Sequence, residues 1–208
     1  VVHCAPPPPP WGGGGGGGIH IARGVAYLHG HNPNPIIHRD LKPSNVLLTQ
    51  AGVWKVCDFG LSRLLPGKAM NSQYRLTGET GSYVYMAPEV FKHESYSLKV
   101  DQYAYAMIVY QAFERERPFI PLRPMEAARA ASMGRRPTKC GHMPPVVRQI
   151  VTSCWAGDQN LRPSFETIVD ELTEFATQRG LAPSAQYTRY SSGGTMRCAP
   201  GGVPCAVS

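Results

Sequence analysis

The sequence predicts a mainly α-helical domain in which short β-hairpins surround one polar loop. Residues 19–28 and 165–175 carry apolar side chains at helical spacing. Residues 99–113 are apolar nearly all round, which is typical of a helix that is buried on every side. The apolar runs on both sides of residues 38–45 are too short for helices and therefore indicate strands.

The first predicted helix presents one apolar face, formed by Ile21, Ala22, Val25 and Leu28. Gly30 follows the last of these residues, and glycine is common where a helix ends. We therefore expect a helix that stops next to Gly30 and packs onto the core through this face.

A β-hairpin is predicted directly after the polar loop. Val46–Leu48 is an apolar run, residues 50–52 have the composition of a turn, and residues 53–57 return as a second strand. Ile36-Ile37 is a shorter apolar run on the other side of the loop. Asp58 therefore comes directly after the second strand of the hairpin.

The last predicted helix begins after Ser164, whose hydroxyl can accept a hydrogen bond from a free N–H group of the first turn. Its apolar residues form one stripe. They are Phe165, Ile168, Val169, Leu172 and Phe175.

Composition divides the chain into three parts. Residues 1–18 are a low-complexity Pro/Gly segment that we expect to be disordered, because runs of proline or glycine build no packed core. This segment is either a linker or translated non-coding sequence, or else a polyproline ligand for an aromatic-lined groove. Residues 19–178 are the predicted ordered domain, and residues 179–208 are expected to be a disordered tail.

The overall composition limits the possible functions. A chain of 208 residues with 42% hydrophobic residues can bury the core of one domain. The net charge is +7, but no aromatic residues are interleaved in the densest basic group, so we expect no nucleic-acid partner. That group is Arg129, Arg135, Arg136 and Lys139.

The chain also shows no sign of membrane insertion or of secretion. No apolar run approaches the ~20 residues of a membrane span. The six cysteines show no paired-ligand spacing. We therefore expect no membrane partner and a reduced setting, cytoplasmic or nuclear, with the cytoplasm as the predicted location.

The polar loop, residues 38–45, concentrates side chains that suit phosphoryl transfer. Asp40 can accept the proton of an attacking hydroxyl, Lys42 can neutralise charge on the transferred group, and Asn45 can hold a magnesium ion. Asp58 offers a second hard oxygen ligand after the hairpin. Taken singly, each of the Asp and Asn residues is better explained as a cap or turn residue.

Three motifs occur in order along the chain: His38-Arg39-Asp40, Asp58-Phe59-Gly60 and Ala87-Pro88-Glu89. With these motifs the chain resembles the eukaryotic protein kinase family. Residues 81–90 and 100–108 resemble more narrowly the tyrosine-kinase-like group, and within it the Raf-like serine/threonine kinases of plants and algae. The resemblance covers residues 19–178 and implies the C-terminal lobe of the kinase fold.

The other lobe of that fold has no counterpart in the residues before His38. Gly12–Gly18 lacks the flanking valine and the strand pattern of a phosphate-binding glycine-rich loop, and no lysine precedes His38. We therefore expect the N-terminal lobe to be absent from these 208 residues, and we expect the residues alone to have negligible activity.

The resemblance implies a role for each polar residue of the site. Asp40 is the catalytic base, and Lys42 and Asn45 contact the phosphates of the nucleotide. Asn45 and Asp58 bind the metal ion, and Leu47 lies under the adenine ring. The cofactors implied are ATP and Mg²⁺.

A regulatory role is implied for Arg39, which in such kinases pairs with a phosphate between Asp58 and Glu89. An upstream kinase would add that phosphate. The candidate acceptors are Ser72, Tyr74, Thr77 and Thr80, of which Thr77 and Thr80 are favoured.

Structural roles are implied for three more residues. Asp101 accepts hydrogen bonds from backbone N–H groups of the polar loop, and Glu89 pairs with Arg162 in a buried ion pair.

Lys42 and the pair Gly81-Ser82 are typical of kinases that modify serine and threonine. The expected partner is therefore a protein substrate with a Ser/Thr acceptor.

Two functions remain open from the sequence. The first is a protein serine/threonine kinase that transfers the γ-phosphoryl group of Mg-ATP to protein hydroxyls. It is favoured because Asp40, Lys42, Asn45 and Asp58 are all present. The second is a non-catalytic kinase-like module that acts as a binding or scaffold protein.

Overall fold

The structure, a computed structural model, describes residues 17–64 and 82–180, and these residues confirm the predicted mainly α-helical fold with short strands near the polar loop. The helices are α1 (Gly17–His29), α2 (Pro88–Phe91), α3 (Lys99–Glu114), α4 (Pro124–Ser132), α5 (Pro145–Cys154) and α6 (Phe165–Gln178). The strands are β1 (Ile36–Ile37), β2 (Val46–Leu48), β3 (Trp54–Val56) and β4 (Arg63–Leu64).

Helix α3 runs through the middle of the fold, as its nearly continuous apolar sequence predicts. Every residue from Val100 to Tyr110 is buried, and α3 packs against α1, α5 and the short 3-10 turn Ser82–Tyr85. The Tyr105 hydroxyl donates a hydrogen bond to the Gly18 carbonyl at 3.1 Å. This bond fixes the first turn of α1 to the central helix.

Helix α1 packs on α6 on one side and on β3 on the other. Its buried residues include the four that the apolar spacing predicts, and it ends at His29, directly before Gly30. The helix begins at Gly17, so its first turn takes in two glycines of the Gly12–Gly18 run. The hydrogen bond from Tyr105 and burial against the core offset the low helix propensity of these glycines.

Two small antiparallel sheets flank the polar loop. Strands β2 and β3 form the predicted hairpin, with Val46 opposite Val56 and Leu48 opposite Trp54. Gly52 lies in the connecting turn with a φ of +76°, a conformation that glycine adopts without strain. Strands β1 and β4 form the second pair, so the chain passes from one sheet to the other through the polar loop and returns between β3 and β4.

Helix α6 begins as predicted, because the Ser164 hydroxyl accepts a hydrogen bond from the Thr167 N–H at 3.2 Å. Of its apolar stripe, Phe165, Ile168 and Leu172 are fully buried against the core. None of the helices in the two described ranges is long and apolar enough to cross a bilayer.

Candidate functional site

Asp101, in the first turn of α3, anchors the backbone of the polar loop. Its two carboxylate oxygens accept hydrogen bonds from the His38 and Arg39 N–H groups, each at 2.9 Å. Asp101 is only 1% exposed, so these bonds replace the water that its charge would otherwise require. Arg39 has a φ of +73°, which is unfavourable for a residue with a Cβ, and the bond to Asp101 stabilises it there.

His29 is a third partner of Asp101 that the sequence did not reveal. Its Nε2 lies 2.8 Å from the Asp101 carboxylate, and its ring packs edge-on against Phe165. His29 ends α1 and lies far from Asp101 in the sequence. A histidine in the last turn of the helix, next to the apolar face that ends at Leu28, is the local signal that could have drawn attention to it.

His38 connects the polar loop to the hairpin. Its Nδ1 accepts a hydrogen bond from the Asp40 N–H at 3.3 Å, and its Nε2 lies 3.1 Å from the Cys57 carbonyl oxygen. Because a carbonyl oxygen only accepts, this geometry assigns the ring proton to Nε2. The fully buried ring therefore fixes the backbone of Asp40 relative to the chain that leads into Asp58.

The Asp40 carboxylate contacts three polar side chains of the site. The Lys42 Nζ lies 2.9 Å from its Oδ2, the Ser82 hydroxyl donates to its Oδ1 at 3.3 Å, and the Lys42 Nζ also donates to the Ser82 hydroxyl at 3.3 Å. The Asn45 side-chain amide donates to the backbone oxygen of Asp40 at 2.8 Å and to Oδ2 at 3.1 Å. Asp40 is 8% exposed, and a cleft lined by Arg39, Asp40 and Ser82 opens beside it.

This arrangement gives the carboxylate a defined orientation and a compensating charge. An anionic oxygen next to a hydroxyl and a lysine can accept a proton from an incoming hydroxyl group while the cation stabilises negative charge nearby. Ser82 is the first residue of the second described range, 82–180. It is distant from Asp40 in the sequence, and the fold brings the two side chains together.

Asn45 and Asp58 lie at the same end of the β2–β3 hairpin. Asn45 directly precedes β2, Cys57 directly follows β3, and the Cys57 N–H donates to the Asn45 carbonyl at 2.9 Å. The Asn45 amide nitrogen donates to Asp40. Its side-chain oxygen accepts a hydrogen bond from the Ser44 hydroxyl at 3.4 Å and retains a second lone pair for a metal ion. Asp58 is exposed and in a left-handed conformation, with a φ of +63°.

These two side chains fit the ligand preference of magnesium. Within residues 17–64 and 82–180 no group of three or more His, Cys, Asp or Glu side chains could hold a metal ion. Mg²⁺ seldom needs such a group, since it is commonly held by one or two protein oxygens together with water and phosphate oxygens. A carboxylate and an amide oxygen at one end of a hairpin satisfy that requirement.

Leu47 lies on the outer side of the same hairpin and is 56% exposed. Phe59, directly after Asp58, is 49% exposed and packs on the His38 ring at a centroid distance of 5.3 Å. Exposed apolar side chains next to the polar loop are suited to contact a flat aromatic ligand or another part of a protein.

Cys57 is not equipped to act as a nucleophile at this site. Burial, together with the negative charge of Asp58, raises the pKa of the Cys57 thiol above its usual value. A raised pKa keeps the thiol protonated at neutral pH, and the thiolate is the reactive form.

Glu89 and Arg162 form the buried ion pair that the resemblance implies. Two parallel hydrogen bonds join the guanidinium and the carboxylate, at 2.7 and 2.9 Å. Arg162 also donates to the carbonyl oxygens of Lys99 and Ala156, and its guanidinium lies over the Tyr103 ring. The pair therefore ties α2 to α3 and to the chain before α6.

The two favoured phosphorylation candidates, Thr77 and Thr80, lie outside the described residues, as do Ser72 and Tyr74. Arg39 itself is placed beside Asp40 at the cleft.

Comparison with known proteins gives a consistent result. The family model described as protein tyrosine and serine/threonine kinase matches residues 17–172. The serine/threonine-protein kinase VIK of Arabidopsis thaliana is 51% identical over 155 residues, which are 73% of this chain and 35% of that protein. Integrin-linked protein kinase 1 of Arabidopsis thaliana is 38% identical over 159 residues, 73% of this chain and 33% of that protein.

A human relative extends the comparison beyond plants. Mitogen-activated protein kinase kinase kinase 7 of Homo sapiens is 38% identical over 155 residues, which are 73% of this chain and 24% of that protein. The chain thus spans about a quarter to a third of the length of these relatives. The family match, the serine/threonine kinases among the relatives and the arrangement of the polar loop agree, and the chain belongs to the protein tyrosine and serine/threonine kinase family.

Proposed function

We propose that this chain supplies the catalytic loop and the metal ligands of a protein serine/threonine kinase, which transfers the γ-phosphoryl group of Mg-ATP to a hydroxyl group of a protein substrate. The observation that carries the proposal is the Asp40 carboxylate, held between the Lys42 ammonium, the Ser82 hydroxyl and the Asn45 amide. This arrangement suits a base that must face a neutral hydroxyl group.

In this proposal Asp40 orients the acceptor hydroxyl and takes its proton as the oxygen attacks phosphorus. The Lys42 ammonium, 2.9 Å from Asp40, balances the charge on the transferred phosphoryl group. Ser82, in contact with both residues, positions the backbone segment on which the acceptor side chain rests.

Asn45 and Asp58 are the proposed magnesium ligands, and bound Mg²⁺ would supply charge neutralisation for the nucleotide phosphates. Leu47 is the proposed contact for the adenine ring of ATP, which its exposed position allows. Arg39 is the proposed partner of a phosphate at Thr77 or Thr80, added by an upstream kinase. Asp101, Glu89 and Arg162 serve as the scaffold.

We further propose that residues 19–178 form the kinase C-terminal lobe of a cytoplasmic protein, flanked by the Pro/Gly segment 1–18 and the tail 179–208. The phosphate-binding lysine and glycine-rich loop that complete an ATP site are not among the residues that form this site. A test of the chemistry therefore needs an N-terminal lobe, and that of the kinase VIK is a suitable donor because of its 51% identity.

The test joins that lobe to residues 17–180 and measures turnover on a peptide library that contains serine and threonine acceptors. Asp40→Asn and Asp58→Asn should each lower turnover at least ~100-fold, the usual scale for losing a positioned base or a metal ligand. Asp101→Asn is the control within the same hydrogen-bond network. It should lower turnover less, because Asp101 does not contact the substrate.

The pattern among the three variants decides the role of each residue. Near-normal turnover in Asp40→Asn, together with its loss in Asp101→Asn, would show that the loop is a scaffold. A folded fusion protein that binds Mg-ATP yet transfers no phosphoryl group would support the non-catalytic binding module instead.

A further inference from the structure

The side chain of Gln159, which the proposed chemistry does not use, joins two distant parts of the chain. Gln159 begins the 3-10 turn Gln159–Leu161, shortly before α6. Its amide oxygen accepts hydrogen bonds from the Ser97 N–H at 3.1 Å and from the Ser97 hydroxyl at 2.9 Å. Its amide nitrogen donates to the Ser95 carbonyl at 3.1 Å. Both ends of one amide group therefore hold the segment that leads into α3.

Lys99, the first residue of α3, makes a second connection to the same region. Its Nζ donates to the Arg162 carbonyl, directly after the 3-10 turn. The Arg162 guanidinium donates in return to the Lys99 carbonyl at 2.8 Å. These bonds and those of Gln159 form one polar cluster, the α3 clamp, which consists of Ser97, Lys99, Gln159 and Arg162.

The first turn of α3 needs such support, because its own hydrogen bonds are long. Within the described part of the chain, the residue before the helix makes no side-chain capping bond. The Val100 and Asp101 N–H groups donate to carbonyls only three residues earlier, at 3.4 and 3.1 Å. The Ser97 hydroxyl oxygen accepts the Lys99 N–H at 3.3 Å, and Gln159 holds that hydroxyl. Because helix ends open more readily than helix interiors, the clamp holds the part of α3 that would otherwise open first.

This turn carries Asp101, on which the polar loop depends. The carboxylate belongs to the residue two positions after Lys99, and it accepts the His38 and Arg39 N–H groups that directly precede Asp40. A shift of the turn therefore moves the carboxylate, and with it the backbone that orients Asp40. Small displacements of a reacting group lower the rate of a reaction strongly.

We propose that Gln159 and Lys99 are positioning residues of the phosphoryl-transfer site, which act on Asp40 through Asp101. The inference rests on the proposed kinase function and adds residues that lie outside the polar loop and the metal ligands. The clamp fixes the first turn of α3, the turn fixes the Asp101 carboxylate, and the carboxylate fixes the backbone of the loop. Loss of the clamp should loosen the loop before it unfolds the domain.

The first test observes the amides that Asp101 holds, in the 208-residue chain without nucleotide. Hydrogen exchange of the His38 and Arg39 N–H groups is read by mass spectrometry with electron-transfer fragmentation, at submicromolar concentration. The Val109 N–H, in the middle of α3, reports opening of the whole domain and serves as the reference. Gln159→Ala should raise exchange of the two loop amides relative to the reference ~5-fold or more, since three hydrogen bonds to the segment before α3 are lost.

Three further variants test whether the effect belongs to the clamp. Lys99→Met should also raise the exchange ratio, because methionine has no donor for the Arg162 carbonyl. Lys99→Arg should restore slow exchange, since a guanidinium can donate to that carbonyl. The matched control is Ser164→Ala, which removes a capping hydrogen bond of α6 and destabilises the domain outside the clamp. It should leave the exchange ratio unchanged.

The second test measures kinetics in the fusion protein with the N-terminal lobe of VIK, well below its melting temperature. Gln159→Ala and Lys99→Met should lower kcat ~5-fold or more, because the base is less well placed, while KM for ATP stays within ~2-fold. Ser164→Ala should keep the kcat of the parent fusion protein, since a modest loss of stability leaves nearly all molecules folded at that temperature.

The outcomes separate this inference from the proposed function. Unchanged exchange ratios in both Gln159→Ala and Lys99→Met would overturn the positioning role, and so would unchanged kcat in these variants of an active fusion protein. An equal rise of the ratio in Ser164→Ala would overturn it as well, because any loss of stability would then loosen the loop. Faster loop exchange in the clamp variants, together with a parent fusion protein that transfers no phosphoryl group, would overturn the kinase proposal itself.

Discussion

At the scale of single residues, the central helix α3 carries a polar side chain, Gln102, that is almost completely buried. Gln102 directly follows Asp101 on α3 and is 1% exposed. Its side-chain oxygen has no hydrogen-bond partner among the described residues. A buried polar atom without a partner costs free energy, because its bonds to water are lost and not replaced.

Gln102→Met should therefore stabilise the fold by about 1 kcal/mol, since methionine has the same length and no unpaired oxygen. Chemical unfolding of the two chains measures the difference. The control is Gln111→Met on the same helix, where the glutamine oxygen accepts a hydrogen bond from the Tyr85 hydroxyl at 2.5 Å. That variant should be destabilised, and the opposite order of the two effects would contradict the argument.

His20 makes the stability of the fold depend on pH. Burial, with a smaller contribution from the neighbouring Arg23 charge, lowers the pKa of His20 below its ordinary value of 6.5. Its Nδ1 accepts the Trp54 N–H at 3.4 Å, a bond between α1 and β3 that needs the neutral ring at that nitrogen. The unfolded chain therefore binds a proton at His20 more readily than the folded chain does.

Because the pKa of His20 is lower in the folded chain than in the unfolded chain, its contribution to the free energy of unfolding is complete above about pH 6.5. This contribution is lost as the pH falls through the lowered pKa of the folded chain. Thermal melts between pH 7.5 and 5 should show a steeper loss for the parent chain than for His20→Asn, whose side-chain oxygen can still accept the bond. Parallel curves for the two chains would show that other groups set the pH dependence.

At the scale of elements, the Glu89–Arg162 pair holds separate helices together. Arg162→Met should destabilise the fold by ~3–5 kcal/mol, because it leaves the Glu89 carboxylate buried without its cation. The control is Arg123→Met, which removes an exposed pair with Glu126 and should leave the melting temperature nearly unchanged. Equal effects of the two substitutions in calorimetry would rule out a structural role for the buried pair.

At the scale of the whole molecule, the apolar side chains near the hairpins are only partly covered. Leu47, Leu48, Phe59 and Leu64 are each about half exposed, at 56%, 46%, 49% and 51%. Val56, by contrast, lies against Gly24 of α1 and is packed against the core, so the exposed apolar surface of the β2–β3 hairpin centres on Leu47 and Leu48.

This surface should make the isolated chain self-associate at micromolar concentration, because burying exposed apolar area is favourable. Leu47→Lys/Leu48→Lys should shift the chain toward a monomer in sedimentation velocity experiments. Leu161→Lys, at a single exposed leucine elsewhere, should not do so. A parent chain that is already a monodisperse monomer at high concentration would contradict this prediction.

Periodicity and caps were enough to predict the long elements. Helices α1, α3 and α6 follow from apolar spacing, Gly30 and Ser164, and the β2–β3 hairpin follows from two short runs around a turn. Helices α2, α4 and α5 were not predicted. Helix α4 is short, and its buried side consists of alanines rather than of the large apolar residues on which the predictions of α1 and α6 rest.

By itself, the sequence determined the class of the fold, the family and the residues of the polar loop, because local propensity and motif order are written in neighbouring positions. Only the tertiary structure decided which distant residues meet those motifs. It placed Ser82 on the Asp40 carboxylate and His29 on Asp101. These contacts depend on how α1, α3 and α4 pack. Packing is a property of the whole core, which no single stretch of sequence contains.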